Sequence, residues 1–190
     1  MQHKAKKFSN RAKAVTSAAL LAAVGAGVAG AVTASADTPA AAPAAAPAAL
    51  KARTTTTTTH LTIDAATAAA RAALDAAEQD GQRVTVAVVD RNGNTVVTLR
   101  GDGAGPQSYD SAVKKAFTAV SWNAPTSQLA QRLEKTPNLK DIPGTLFLAG
   151  GAPVAYNSAP IAGIGVAGAP SGDLDEKFAQ AGVDTISNGR

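Results

Sequence analysis

From Ala14 to Val32 the chain carries no charged residue, only Ala, Val, Leu, Gly, Ser and Thr. Before this run stand Lys4, Lys6, Lys7, Arg11 and Lys13 with no acid, and after it Ala34-Ser35-Ala36 leads into Asp37. A basic start, an apolar middle and a small-x-small exit make a secretory signal peptide over residues 1–36, with cleavage expected after Ala36. The alternative, a transmembrane anchor, suits the run less well because it is Ala- and Gly-rich and weakly hydrophobic for a span of about 20 residues. There is no Arg-Arg pair to suggest a twin-arginine route and no cysteine to carry a lipid.

Removing residues 1–36 changes the electrostatic picture. The whole chain has a formal charge of +4, but residues 37–190 hold thirteen Lys and Arg against fourteen Asp and Glu. The basic balance belongs to the export signal, so the mature chain offers no charge-based case for nucleic acid or for an anionic membrane. The expectation is a secreted, extracellular protein, free or associated with the cell envelope, that does not insert in the membrane after cleavage. With no cysteine there is no disulfide, and stability must come from packing in one core of about 130 residues.

Residues 37–59 read as a linker. Pro39, Pro43 and Pro47 recur through an alanine tract and deny it a helix, and then come Lys51, Arg53 and six threonines, Thr54 to Thr59. This stretch is either a spacer through or off the envelope or a tail without a role. The domain is expected over 60–190. Thr62 to Asp80 carries Ile63, Ala70, Leu74 and Ala77 on one stripe and predicts a helix capped by Thr62 or Asp64 and ended by Gly81. Val84 to Asp90 and Thr95 to Arg100 are β-rich and flank an Asn-Gly turn, a hairpin signal. Ser108 opens a second helix with Tyr109, Val113, Ala116, Phe117 and Val120 on its inner face. A short helix over Ser127 to Lys135 and a loop over Pro137 to Gly144 come next. Thr145 to Ala149 and Ala152 to Tyr156 predict a second hairpin around Gly150-Gly151. Pro160 to Gly168 is a strand, and Asp173, with Glu176 as capping-box partner, opens a last helix. The resulting class is α+β, with a five-stranded, largely antiparallel sheet covered by helices.

The mature chain has no Cys, no Met and one histidine, His60, at the domain's edge. A zinc site needs about four N or S ligands and cannot be assembled, and a catalytic triad would have to recruit His60. Asp75 and Glu78 stand one turn apart on the first helix and can hold a hard or iron-type cation; the alternative is a solvated face with an Arg71–Asp75 pair. Gly163-Ile164-Gly165-Val166-Ala167-Gly168 matches G-x-G-x-x-G, yet it lies in a late strand and precedes Asp173, Asp175 and Glu176, so it is not a dinucleotide loop. By strand parity Ile161, Gly163, Gly165 and Ala167 form a smooth face against which a helix, a partner subunit or a flat ligand can lie. Ser111, Lys115, Thr118 and Trp122 run along one flank of the second helix, and Arg100 precedes the glycine loop before it. Arg100 and Lys115 can pair a ligand's carboxylates while Tyr109 or a hydroxyl approaches a metal; the alternative puts Tyr109 in the core and Lys115 in solvent.

Several of these segments occur in one order: Leu61-Thr62-Ile63-Asp64-Ala65-Ala66, Arg100-x-Asp102-Gly-Ala, Ser111-Ala-x-x-Lys115-Ala116-x-Thr118-Ala119, Gly163-Ile-Gly-Val-x-Gly168, Asp175-Glu176 and Ala181-Gly182. Over 61–186 the chain resembles the haem-binding GlcG/HbpS family. The stretch from Trp122-Asn123-Ala124-Pro125 to Ile142-Pro143-Gly144-Thr145 is most similar to the family's secreted Streptomyces members. The resemblance implies a profilin-like sandwich, a homo-octamer, extracellular haem binding with corrinoids bound by related members, haem breakdown with iron release, and a membrane sensor kinase as partner in redox sensing; peroxide is the oxidant expected for the breakdown. It implies iron binding at Asp75 and Glu78 and a hydroxyl ligand for haem near the second helix, with Ser111 and Thr118 both open; Arg100, Tyr109, Lys115 and His60 are the further candidate haem contacts read from the residues themselves. A haem-degrading protein and a non-catalytic sensor accessory remain alternatives, as does a corrinoid-binding module.

Overall fold

A computed structural model describes residues 48–187. The expected export signal, 1–36, and the linker over 37–47 lie outside the described residues. Residues 48–60 are exposed and form neither helix nor strand. The helices and strands belong to the unit Leu50–Arg190. Among the described residues no helix is long and apolar enough to cross a membrane.

Helix α1 (Ile63–Gln79) starts where Thr62 accepts a hydrogen bond from the Ala65 amide at 3.2 Å. Its inner stripe is almost all alanine: Ala66, Ala69, Ala70, Ala73 and Ala77 have no exposed surface. Strand β1 (Thr85–Asp90) is buried on both sides, as a continuous apolar run should be. It pairs with β2 (Thr95–Arg100) through a turn in which Gly93 takes φ 87°. The Asp90 carboxylate organises that turn, accepting the Asn92 and Asn94 amides at 2.8 Å each and the Asn94 side chain at 3.2 Å.

Burial by itself raises the Asp90 carboxyl, but the Asn94 and Asn92 donors outweigh it and hold the group below the ordinary value of 3.8. A carboxyl with a lowered folded value adds stability above 3.8 that is lost as pH falls through the folded value. Asp90→Asn should therefore be less stable than wild type at neutral pH and should lose less on acidification. Urea midpoints at about pH 7 and about pH 3 measure both. An equally steep acid loss in the variant would remove Asp90 as the cause.

Helix α2 (Ser108–Trp122) is followed by α3 (Thr126–Gln131) and two 3-10 turns, Arg132–Glu134 and Pro137–Asp141. Strands β3 (Gly151–Tyr156) and β4 (Ala159–Ala167) then lead to α4 (Gly172–Ser187). The sheet has four antiparallel strands, in the order β2-β1-β4-β3, not five. The missing strand is Thr145 to Ala149. Its amides and those after it are met by side chains instead: Thr118 Oγ1 accepts Leu146 N–H at 2.8 Å, Glu176 accepts Gly150 N–H at 3.2 Å, and Thr126 accepts Gly151 N–H at 2.8 Å. Phe147 turns inward and meets Trp122 edge-on at 5.2 Å, beside Ala124 and Leu129. The second hairpin turns at Asn157 and Ser158, both at positive φ, rather than at Gly150-Gly151.

α1 and α4 cover one face of the sheet, where Val84, Val86, Val88, Ile164 and Val166 meet Phe178. α2 covers the other, against Ala87 and Val89. The capping box expected for α4 does not form. Ser171 caps it through the Leu174 amide, and Glu176 reaches across to the start of α3.

The strand face of Gly163 and Gly165 is covered by α2. A methyl built on Gly165 would stand 2.5 Å from the Ala116 amide nitrogen and nearer still to the Ala112 carbonyl. One on Gly163 would overlap the Ala116 carbonyl. Of the three occupants this face allows by sequence, the structure chooses the chain's own helix. It is not open to a flat ligand.

Candidate cofactor cleft beside helix α2

Packing α2 onto glycine fixes which of its residues are buried. Ala112, Ala116 and Ala119 meet the sheet, and Lys115 and Thr118 are drawn in with them. Tyr109 is left 47% exposed. Both halves of the reading that put Tyr109 in the core and Lys115 in solvent are thereby reversed.

Lys115 is 2% exposed. Its ammonium donates to the Asp175 carboxylate at 2.7 Å and to the Val166 carbonyl at 3.0 Å. Asp175 also accepts the Ala169 amide at 3.0 Å. Burial pushes the Asp175 carboxyl above its ordinary range, and the Lys115 contact opposes that shift. Gly150, at φ 129°, closes over the pair: a side chain there would meet Lys115 Nζ and the Val166 carbonyl. Sequence reasoning gave Asp175 no part in a site. The signal was present, because Asp175, Phe178 and Gly182 share the buried face of α4 at helical spacing.

This ion pair lies at the base of a cleft of about 410 Å³. Ser111 lines it from α2 and Gln107 from the position just before that helix, Leu148 from the loop before β3, and residues 167–172 from the end of β4 and the turn into α4. Leu148 is 52% exposed. Among the described residues the Ser111 hydroxyl has no hydrogen-bond partner in the protein. Thr118 differs: its hydroxyl donates to the Lys114 carbonyl at 2.7 Å and accepts the Leu146 amide, so it holds the loop and does not line the cleft.

The other candidates lie elsewhere. Arg100 donates to the Ala104 carbonyl at 2.6 Å and braces the glycine loop. His60 is exposed, shares a hydrogen bond with Thr58 at 2.9 Å and stands 4.0 Å from Asp90. That sequence of hydroxyl, imidazole and carboxylate is not a triad, because 4.0 Å exceeds a hydrogen bond and Asp90 is already held by its turn. Asp75 faces Arg71 at 3.5 Å, with both side chains about half exposed. Glu78 lies on the rim of a second cleft of about 390 Å³ with Gln82, Arg83 and Asp102. Among the described residues no group of three or more His, Cys, Asp or Glu is placed to hold a metal.

Solved structures share this architecture. A Streptomyces reticuli HbpS carrying two glutamate-to-aspartate substitutions is 74% identical, with a TM-score of 0.73 over 74% of this chain and 97% of that one. Klebsiella pneumoniae protein ORFY is 27% identical, with a TM-score of 0.68 over 75% of this chain and 100% of that one. A PduOC–haem complex is 26% identical, with a TM-score of 0.62 over 67% of this chain and 95% of that one. Residues 61–184 match the model of the haem-degrading HbpS-like proteins, and the chain belongs to that family.

Proposed function

We propose that the domain binds haem at the α2 cleft, degrades it with peroxide and captures the released iron. The observation that carries the placement is the Ser111 hydroxyl, unpartnered on the wall of a cleft whose lining holds no imidazole or sulfur. Family membership and the haem complex of a structural relative support the ligand class. The donor set suits haem held weakly: the cleft has no imidazole or sulfur, and Leu148 stands beside the small residues of the turn before α4. Weak oxygen ligation and an open rim leave a bound haem accessible to oxidant.

When bound, haem supplies the redox chemistry. The chain contributes position: Leu148 shelters an apolar edge, Ser111 presents a hydroxyl, and the Lys115–Asp175 pair keeps the wall rigid from below. Asp75 and Glu78 are the iron-capturing pair in this reading. The Arg71–Asp75 contact is half solvated and worth less than about 1 kcal/mol, so a cation can displace it. The ion would complete its shell with water or with donors from another copy. The acidic pair has the same spacing as the two glutamates altered in the Streptomyces reticuli double mutant. Export, homo-oligomeric assembly up to an octamer, and signalling through a membrane sensor kinase belong to the same reading; export rests on the signal-peptide pattern of residues 1–36, the other two on the family resemblance.

One experiment tests the parts separately. Haem is titrated into wild type, Ser111→Ala and the Asp75→Ala/Glu78→Ala double variant, followed by peroxide and measurement of protein-bound iron. Wild type should shift the Soret band and lose it with peroxide. Ser111→Ala should bind about tenfold more weakly. The double variant should keep haem but retain little iron. No Soret shift in wild type refutes the haem reading. Unchanged affinity in Ser111→Ala moves the site away from this cleft, and a Soret band stable to peroxide points to a sensor rather than a haem-degrading protein.

A further inference from the structure

We propose that the threonine tract Thr54–Thr59 is an O-glycosylation site that accepts hexoses from a lipid-phosphate-linked donor outside the cytoplasm. The proposal rests on the export part of the reading above. All six threonines are exposed, outside any helix or strand and upstream of the family match that begins at residue 61. Packing of the domain therefore does not call for them. Only Thr54 and Thr58 have side-chain partners, the Lys51 carbonyl at 2.6 Å and His60 at 2.9 Å. Among the described residues the hydroxyls of Thr55, Thr56, Thr57 and Thr59 have none.

A spacer does not need this composition. The alanine tract with Pro39, Pro43 and Pro47 has a composition that by itself favours an extended chain, without threonine. Six consecutive β-branched residues without charge or proline have the character of a segment that pairs into cross-β stacks. Left bare and exposed, such a run is a hazard. Sugars on its hydroxyls would block strand pairing sterically and solvate the segment. Threonine-rich sequence with nearby prolines is the composition of O-glycosylated stalks, because an extended chain presents each hydroxyl to a transferase.

In the transfer, threonine Oγ attacks the anomeric carbon of the donor hexose. The new C–O bond forms as the bond from sugar to phosphate breaks, the hydroxyl proton passes to a base on the transferase, and the lipid phosphate leaves. Nothing is oxidised or reduced.

The test expresses the full chain in a Streptomyces host that also glycosylates a secreted reporter with a Thr/Pro-rich tail. Intact mass is measured on protein from the medium. A ladder of hexose increments is expected, confined by peptide mapping to residues 54–59. The ladder should vanish when all six threonines are changed to alanine and persist when all six are changed to serine. Exported protein at its bare mass overturns this proposal alone, as do phosphate increments or a ladder that survives the alanine changes. Retention in the cytoplasm overturns both this proposal and the export reading.

Discussion

Gly165→Ala is expected to cost about 3 kcal/mol or more, a large part of the stability of a domain this size. The added methyl meets the backbone of α2 at Ala112 and Ala116, which no rotamer change can move aside. The helix must lift as a unit, opening space along its contact with Ala87 and Val89 and tilting Ser111 away from the cleft. Gly81→Ala is the control. Nothing lies within 4 Å of a methyl there, and only the positive φ of 70° opposes it, so a loss of about 1 kcal/mol is expected. Urea unfolding of both variants measures the difference. Equal losses would mean that α2 floats over the strand, and would reopen that glycine face to a planar guest.

The second large effect belongs to Lys115 and Asp175. Asp175→Leu should cost about 3–5 kcal/mol, because a buried ammonium is left with only the Val166 carbonyl. Lys115→Met should cost a similar amount by stranding the carboxylate. The double variant Lys115→Met/Asp175→Leu removes both charges and their desolvation together, and should recover most of the loss. A double-mutant cycle from urea midpoints reads the coupling directly. Single losses below about 1 kcal/mol would show a hydrated pair of the surface kind and contradict its burial. Haem titration of the stable double variant adds a functional reading: unchanged affinity shows that the pair only supports the cleft wall, while a marked loss shows that its charge acts on the ligand.

Local chemistry made much of this protein legible from the sequence. Thr62 and Gly81 bound the first helix because capping and positive φ are decided within a few residues. Asn92-Gly93 fixes the first hairpin for the same reason. The ordered segments from Leu61 to Gly182 were enough to identify the family. The inventory of donors also needed no coordinates: a domain with one histidine and no sulfur must rely on oxygen ligands or that one imidazole.

The tertiary structure decided the rest, because the deciding contacts join residues far apart in the chain. Thr145–Ala149 has the apolar character of a strand but is a loop, since Thr118 and Glu176 supply the partners its amides would have found in a sheet. The smooth glycine face allowed three occupants by parity, and only the overlap with Ala112 and Ala116 shows that α2 takes it. Ser111 and Thr118 were equivalent hydroxyls on one helical flank until rotation of α2 drew one into the core and left the other open. Lys115 became buried because Asp175, sixty positions away, arrives at 2.7 Å. Sequence periodicity reports which side of an element is apolar; what lies against that side is settled by packing of the whole chain.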